Sequence, residues 1–414
     1  MTGALGRVTV ATLVAAASGY LVLLLAARHL GAGGYAVFAV FWAAYGMVTG
    51  AQNGQLQETT RAVRAATDTG VRRGRPLVVN ATIGGGVAAV IAASAWLWSG
   101  SVFTEQRVLS VVLLAVGVAS FAIYAHLAGA LSGAASWTSF AVLLSVDALI
   151  RLAGAAIAVI AGWGLTAFLA ITVLGSVSWI ALLVGSPAAR AAIGLPADVM
   201  SSRFASNTVV AMLAAAASAV LVMGFPVMIN ATGGARDADA GLVGAVILAV
   251  TLTRAPLLVP LNSFQGVLIT RFVDGREHVL RAIIAPVAVV IGIGVLGAGA
   301  AWLVGPWLLE HVFGADFRLG GADLALFTLG ATTLAVLTVT GAAAIAIGAH
   351  RWYAAGWWGA TIASIALLLL PIGVTDRVAI ALICGPLVGV AVHLVRLRVS
   401  IHPSPGGSGH STST

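Results

Sequence analysis

The sequence predicts an all-α integral membrane protein, with about 12 transmembrane helices in two six-helix halves around a central cavity. Three observations carry this prediction: the composition, the length of the apolar segments and the placement of the arginines. Hydrophobic residues occupy 60% of the 414 positions, charged residues only 8%, and the mean hydropathy is +1.06. A soluble chain carries roughly a quarter charged residues, so most of this protein's surface must face lipid.

The apolar residues fall into segments that are each long enough to cross a hydrocarbon core of ~30 Å. Backbone groups in lipid must be hydrogen-bonded within the segment, so each segment is predicted to be a helix. The predicted spans are 9–27, 36–57, 76–99, 108–132, 138–162, 165–185, 207–230, 242–265, 279–303, 322–348, 353–371 and 378–395. Within this set, His126 and Asn230 lie near span ends and are expected at the membrane interface.

The arginines orient the bundle, because cytoplasmic loops carry an excess of basic residues. With both termini in the cytoplasm, the inner side receives Arg7, Arg61, Arg64, Arg72, Arg73, Arg75, Arg190, Arg203, Arg271, Arg276, Arg281, Arg351, Arg396 and Arg398. The outer side receives only Arg28, Arg107, Arg236, Arg318 and Arg377. This bias predicts a multi-pass protein of the cell (cytoplasmic) membrane with an even number of spans.

The chain is expected to divide into an N-terminal half at 1–203, a C-terminal half at 204–398 and a disordered cytoplasmic tail at 399–414. The tail is rich in Pro, Gly, Ser and Thr, a composition that cannot bury a core. A repeated Thr-Arg pair, at Thr60-Arg61 and Thr270-Arg271, follows corresponding spans of the two halves. It fits a parallel repeat with a substrate path between halves, although so short a match also arises by chance.

The composition excludes several kinds of chemistry. All basic residues other than histidine are arginine, so the chain has neither a phosphate-binding loop of the G-x-x-x-x-G-K type nor a Schiff-base lysine. The isoelectric point near 10.9 reflects arginines that flank spans. Because no basic stripe with interleaved aromatic residues occurs, no nucleic acid is expected as a partner. No catalytic residue, cofactor or metal site is predicted.

Ionisable groups at bilayer depth are costly unless they are paired or hydrated, which makes them candidates for function. Asp147 and Arg151 lie in the middle of the fifth predicted span at i, i+4 spacing, on one helix face. One interpretation is an ion pair within the helix that neutralises both charges. The other is functional: Asp147 takes up a coupling proton, or Arg151 attracts the phosphates of a substrate.

Arg254 lies near the middle of the eighth predicted span, with Pro256 two residues on. Its own helix offers no acid at helical spacing, so water, a carboxylate from another helix or an anionic ligand must stabilise it. Guanidinium suits phosphate because its fork is planar and always charged. Substrate contact and a structural partner both stay open for this residue.

Polar side chains gather at the inner ends of two predicted spans. Gln55 belongs to such a group at the end of the second span, and Asn262 and Gln265 occupy the matching end of the eighth. On one interpretation these side chains are simply solvated at the interface or form hydrogen bonds between helices. On the other they line a polar vestibule that binds sugar hydroxyls. The basic loop at 61–75 is an orientation signal that could also gather anionic lipid.

Three motifs, in chain order, resemble Wzx-type polysaccharide flippases of the multidrug/oligosaccharidyl-lipid/polysaccharide exporter superfamily. The segment at 26–39 matches their first outer loop, with an Arg, then Leu-Gly, then Tyr and an aromatic residue, although Ala36 replaces the usual Gly. The segments at 240–244 and 252–257 resemble the eighth span of actinobacterial members, and 312–317 resembles the loop before the tenth.

The resemblance implies translocation of an undecaprenyl-pyrophosphate-linked oligosaccharide from the inner to the outer leaflet. It places the eighth span, and so Arg254, on a central cavity whose cationic side chains receive the pyrophosphate. The implied partners are the lipid-linked oligosaccharide, membrane lipids, a polysaccharide polymerase and glycosyltransferases. The main alternative is an ion-coupled drug or metabolite antiporter of the same superfamily, which would keep more acids in its spans. A membrane enzyme would carry acidic motifs or large outer loops, and a scaffold would not need inward cations.

Overall fold

The structure is a computed structural model that describes residues 2–233, 238–274 and 278–399, and these residues are almost entirely helical. Within them the only β-pairing is an isolated bridge between Gly74 and Ala197. The helices are α1 (Thr2–Thr69), α2 (Pro76–Val102), α3 (Arg107–Gly133), α4 (Trp137–Ile160), α5 (Leu165–Leu174), α6 (Ser178–Gly185), α7 (Pro187–Ala192), α8 (Ser201–Val222), α9 (Phe225–Ala231), α10 (Ala240–Asp274), α11 (Val279–Leu308), α12 (Gly321–Ala346), α13 (His350–Leu368) and α14 (Val374–Val399).

Ten helical stretches of the described chain are long and apolar enough to cross a membrane. The first of them, Gly6–Thr69, has 64 residues, which at ~1.5 Å per residue is about three times the thickness of a hydrocarbon core. Gly31 interrupts it with non-helical dihedral angles (φ 67°, ψ 175°) and separates the two predicted spans. The helix α13, with 19 residues, coincides with the eleventh predicted span. The predicted all-α membrane fold is confirmed, and the two six-helix halves around a central cavity stay a prediction.

The segment at 26–39 was expected to be a loop, and this expectation is wrong. The backbone stays helical on both sides of Gly31, which alone leaves the helical region. A positive φ is easily adopted only by glycine, because a Cβ atom would clash with the backbone. The helix is therefore kinked at one residue, and the motif Arg-x-Leu-Gly marks a tight helix break.

Two predicted spans are broken within the membrane-spanning region. The seventh was expected as one helix over 207–230, but α8 ends at Val222 and α9 begins at Phe225. Pro226 occupies the first turn of α9, where its missing N–H is tolerated, whereas it would disrupt a continuous helix. The sixth span is interrupted by a 3-10 turn at Gly175–Val177 between α5 and α6.

Contacts in the structure join residues that the arginine pattern places on the same side of the membrane. Arg7 donates a hydrogen bond to Thr138 Oγ1 (2.5 Å), and both lie at predicted inner ends. Arg28 donates to the carbonyl of Val312 (2.6 Å), and both lie at predicted outer ends. The order of crossings is therefore self-consistent, and the absolute orientation of the termini stays a prediction.

The described chain forms two compact units, of which unit 1 comprises Met1–Ala249, Val304–Gly320 and Pro371–Thr375. Within it, α1 packs against α3, α4 and α8, and α2 packs against α3. The core contains large aromatic side chains with no exposed surface, among them Phe38 and Phe168. Their rings meet edge to face with centroids 5.8 Å apart, a favourable geometry for aromatic pairs.

Unit 2 comprises Val250–Leu303, Gly321–Leu370 and Asp376–Thr414. Its centre is α12, which is buried along most of its length and rich in Gly, Ala and Thr. Gly330 packs directly on Leu382 of α14, where an added Cβ would lie 2.5 Å from the leucine Cβ. Small residues allow such close approach, which drives helix association in lipid.

The predicted division into halves at 1–203 and 204–398 stays a prediction. Unit 1 includes α8 and the start of α10, both assigned to the second half by sequence. The compact units are defined by contacts, whereas the predicted halves are defined by an internal repeat. The units therefore do not test the halves. The predicted disordered tail falls on residues 400–414, which lie outside the described residues.

Candidate functional site

Asp147 and Arg151 form the ion pair that their spacing predicts. Both belong to α4, and Arg151 Nη2 donates to Asp147 Oδ1 at 2.8 Å. Only 18% of the Arg151 side chain and 12% of the Asp147 side chain are exposed. A pair this deep gains more from mutual attraction than an exposed pair does, because little water screens it. The residual exposure leaves a route by which a proton or a ligand could reach the pair.

Two aromatic side chains of α1 flank the guanidinium. Trp42 and Tyr45 are three residues apart and therefore share a helix face. The Arg151 Cζ atom lies 5.8 Å from the centroid of each ring, within the range of a cation–π interaction. The sequence does not single out these two residues as functional, because aromatic residues at helical spacing usually belong to the core.

The backbone of the sixth span closes the other side of the pair. Gly175 begins the 3-10 turn Gly175–Val177, and a Cβ added to it would lie 2.5 Å from Asp147 Oδ1 and would overlap Arg151 Nε. Only glycine leaves room for the ion pair at this point. We call the set Trp42, Tyr45, Asp147, Arg151 and Gly175 the ion-pair site.

Side-chain hydrogen bonds hold the 3-10 turn in place. Ser120 of α3 donates to the carbonyl of Ser176 within the turn (3.1 Å). Trp179 Nε1, at the start of α6, donates in turn to Ser120 Oγ (3.1 Å). Non-helical backbone at membrane depth is tolerated where protein groups satisfy it, and short 3-10 stretches within helices often mark functional positions.

The chemistry of the ion-pair site follows from its unused hydrogen-bonding capacity. Guanidinium has five N–H donors, and Arg151 Nε has no hydrogen-bond partner among the described residues. Because Nε is buried against Gly175, an anionic ligand would have to use the other N–H donors of the guanidinium. A proton on Asp147 would remove the negative charge that pairs with Arg151.

Gln55 is fully buried within a different polar network of unit 1. Its Nε2 donates to the carbonyl of Asn80 on α2 (3.2 Å), and Asn80 Nδ2 donates to Thr59 Oγ1 (2.8 Å). Ten residues separate Gln55 from Tyr45, about 15 Å along α1. The structure does not bring Gln55 to the ion-pair site. Its hydrogen bonds join α1 to α2, which supports the interpretation that Gln55 serves helix–helix packing. Its role in substrate binding stays a prediction.

His126 and Asn230 are buried within the protein, with 0% and 7% of their surfaces exposed, and their position at the membrane interface stays a prediction. His126 Nε2 donates to the carbonyl of Ile193 (2.9 Å), and its Nδ1 accepts from the Asn80 amide (3.3 Å). The neutral ring satisfies both contacts. Asn230 donates to the carbonyl of Val102 (3.2 Å). Sequence position near a span end does not reveal which helix face is covered.

Arg254 lies on α10 with 7% of its surface exposed and belongs to unit 2. Its depth agrees with the sequence analysis, and Pro256 lies within the same continuous helix. The side chains of Asn262 and Gln265, near the end of that helix, lie outside the described residues. The substrate-binding roles of Arg254, Asn262 and Gln265 therefore stay predictions.

Comparison with known proteins identifies relatives along almost the whole chain, although no family model matches it. An uncharacterized protein of Mycobacterium bovis is 49% identical over 400 residues, which cover 96% of this chain and 92% of the relative. An uncharacterized protein of Mycobacterium tuberculosis is 50% identical over 401 residues, which cover 95% of this chain and 91% of the relative.

Solved structures share the fold at low sequence identity. An inward-facing MATE multidrug transporter of the MOP superfamily has a TM-score of 0.76 at 13% identity, over 93% of this chain and 94% of its own. The lipid II flippase MurJ, inward closed, has a TM-score of 0.70 at 12% identity, over 94% and 87%. The chain therefore belongs to one family with these mycobacterial proteins, and it has the MOP-superfamily fold.

Proposed function

We propose that the protein translocates an undecaprenyl-pyrophosphate-linked oligosaccharide from the inner to the outer leaflet of the cytoplasmic membrane, for polysaccharide biosynthesis. The observation that carries the proposal is the ion-pair site, where Arg151 is held between two aromatic rings and a carboxylate deep in a transporter fold. Lipid II, the substrate in the name of MurJ, belongs to the same class of lipid-linked sugars.

The preference for an anionic substrate rests on the cations that the spans maintain. Arg151 and Arg254 are both largely buried in apolar helices, where a charged group is expensive to maintain. Guanidinium donates paired, charge-assisted hydrogen bonds to phosphate oxygens. A diphosphate headgroup supplies the negative charge and the acceptor oxygens that such a group requires. Asp147, whose carboxylate competes for Arg151, is the proposed site of proton coupling.

A second candidate function is ion-coupled efflux of a drug or metabolite. It is favoured by the likeness to the inward-facing MATE multidrug transporter, with a TM-score of 0.76 against 0.70 for MurJ, although an outward-facing MATE transporter has 0.63. Against it, the ion-pair site contains one acid, Asp147, whereas the spans contain two largely buried arginines, Arg151 and Arg254. An exporter of cations would gain nothing from guanidinium groups in its path, because like charges repel.

The test is transport by purified protein in proteoliposomes. A fluorescent undecaprenyl-pyrophosphate disaccharide is loaded into both leaflets, and a membrane-impermeant quencher reports the rate at which the inner pool becomes accessible. We expect quenching of both pools with wild-type protein and about tenfold slower exchange with Arg151→Ala, given the usual strength of charge-assisted bonds.

The paired measurement is efflux of a cationic dye from the same vesicles under a proton gradient. The flippase proposal requires lipid exchange and no dye efflux. Dye efflux without lipid exchange would replace it with the antiporter. Arg107→Ala serves as the matched control, since this arginine is exposed and, as the first residue of α3, bonds Ser99 near the end of α2.

A further inference from the structure

A groove of about 530 Å³ lies between the start of α1 and the first half of α4, within unit 1. Its walls are mainly aliphatic, and Val10 and Val142 are 60% and 42% exposed, so the groove is open to the side. We call it the α1–α4 groove. Its lining includes Arg7, Val10, Ala11, Thr138, Val142 and Val146.

One end of the groove is polar and positively charged. Arg7 Nη1 donates to Thr138 Oγ1 at 2.5 Å, which fixes the guanidinium beside the first turn of α4. The free N–H groups of that turn add partial positive charge. No acidic residue in the turn offsets this charge. None of the side chains that line the groove is acidic. The electrostatic complement of this end is therefore an anion.

The groove and the ion-pair site lie on opposite faces of α4. Nine residues separate Val142 from Arg151, which is about half a turn beyond two full turns at 100° per residue. Along the helix axis, Thr138 and Arg151 are 13 residues apart, about 20 Å. One helix thus presents an apolar groove with a cationic end on its outside and a buried guanidinium on its inside.

We propose that the α1–α4 groove is the first docking site of the lipid-linked substrate, with the diphosphate at Arg7 and the prenyl chain along Val10 and Val142. This proposal rests on the proposed function and adds a second binding site, besides the ion-pair site, for the same lipid. The occupant follows from the two ends: an anionic headgroup matches Arg7, and a hydrocarbon chain matches the aliphatic walls. In the predicted orientation Arg7 lies at the inner leaflet, where such a substrate begins.

The direct test is photo-crosslinking in nanodiscs. Val142 is replaced by a photo-reactive amino acid, and radiolabelled undecaprenyl pyrophosphate is added. We expect crosslinking to the protein that falls about tenfold when Arg7→Ala is added, since the loss of one charged hydrogen-bonding partner has this effect. A photo-reactive residue at Val90, a valine of α2 that is 66% exposed, is the control and should crosslink weakly and independently of Arg7.

Competition distinguishes the sources of a lipid phosphate. Excess phosphatidylglycerol should not displace undecaprenyl pyrophosphate from Val142; equal displacement would make the groove a phospholipid site and overturn the proposal. Equal crosslinking with and without Arg7 would overturn it as well. Inorganic pyrophosphate should compete only at much higher concentration, because it lacks the chain that the aliphatic walls bind.

Transport kinetics separate this proposal from the function on which it rests. Arg7→Ala and Val142→Trp should each raise the KM for lipid exchange about tenfold and leave kcat unchanged, because a docking site affects capture. Arg203→Ala, an exposed arginine of α8, should change neither. Absence of exchange by wild-type protein contradicts the proposed function, whereas normal exchange with an unaltered KM in both groove variants contradicts only the docking site.

Discussion

Arg28 donates a 2.6 Å hydrogen bond from Nε to the carbonyl of Val312, and a second bond of 2.6 Å from Nη2 to the carbonyl of His311. Both carbonyls belong to the π-helical turn Leu309–Phe313, which continues α11 and ends at Gly314. Carbonyls at a helix end lack partners along the chain and carry partial negative charge. The arginine of α1 therefore caps the end of a distant helix and fixes the segment that follows.

The first prediction concerns this cap. Arg28→Ala should destabilise the segment at 309–320 by about 2 kcal/mol, since both lost bonds involve a charged donor. Hydrogen–deuterium exchange of purified protein should show faster exchange of amides in this segment and unchanged exchange in α3. Arg318→Ala is the matched control, because the Arg318 side chain is 74% exposed and its ion pair with Glu310 is long, at 3.5 Å. Equal exchange in the two variants would show that the cap contributes nothing.

The second prediction separates the structural and functional roles of the ion pair. Arg151→Met should lower stability by about 3 kcal/mol, because it leaves Asp147 buried without its partner. The double variant Asp147→Leu/Arg151→Met should recover most of that stability, because two charges are removed together. Thermal unfolding in detergent measures both effects.

Transport by the same variants decides the role. If the pair couples protons or binds phosphate, the double variant should be stable and inactive in lipid exchange, and Asp147→Asn should slow exchange at normal protein abundance. A stable double variant with wild-type exchange would reduce the pair to a structural element. A fully active Asp147→Asn would remove the coupling role alone.

The third prediction concerns the close approach at Gly175. Gly175→Ala should place a Cβ within 2.5 Å of Asp147 Oδ1, so the pair or the 3-10 turn must shift. Overpacking of this kind costs about 1–3 kcal/mol, and we expect slower lipid exchange together with a lower unfolding temperature. Gly185→Ala at the end of α6, where a Cβ meets no atom within 4 Å, should change neither. If Gly175→Ala and Gly185→Ala behave alike, the 3-10 turn accommodates the added methyl group without effect on stability or exchange.

The helices were predictable because a chain segment in lipid must satisfy its own backbone hydrogen bonds. An apolar run of about twenty residues must be a helix, and the predicted spans at 76–99 and 108–132 lie within α2 and α3. The breaks at Gly175 and Gly224 were not predictable in the same way. Glycine is common throughout these helices, and only the neighbouring side chains show which glycine interrupts the backbone.

The candidate site was predictable in part for the same reason. The spacing of Asp147 and Arg151 fixes their contact, because residues four apart share a helix face. The flanking rings of Trp42 and Tyr45 come from another helix, about a hundred residues earlier in the chain. Their contact depends on how α1 and α4 pack, which no local pattern encodes. The polarity of Gln55 is likewise visible in the sequence, whereas its hydrogen bond to the carbonyl of Asn80 depends on how α1 and α2 pack.

The last prediction concerns Arg254, which is 7% exposed in α10. A cation maintained at this depth is expensive, and a diphosphate offers both the opposite charge and the acceptor oxygens to stabilise it. Arg254→Ala should weaken binding of undecaprenyl pyrophosphate about tenfold, the usual effect of losing a charge-assisted bond, without unfolding the protein. Arg254→Lys should restore only part of the affinity, because lysine keeps the charge and loses the planar fork.

Binding and exchange by folded protein decide between this role and a structural one. A substrate-binding arginine gives a variant with a normal unfolding temperature and a raised KM, and lysine lies between arginine and alanine. A purely structural arginine gives a lower unfolding temperature in both variants and a KM that does not change in the folded fraction. Arg351→Ala, an exposed arginine of α13, is the matched control. Wild-type exchange by Arg254→Ala at all substrate concentrations would exclude this side chain from the substrate path, because a group that binds the diphosphate cannot be removed without effect on capture.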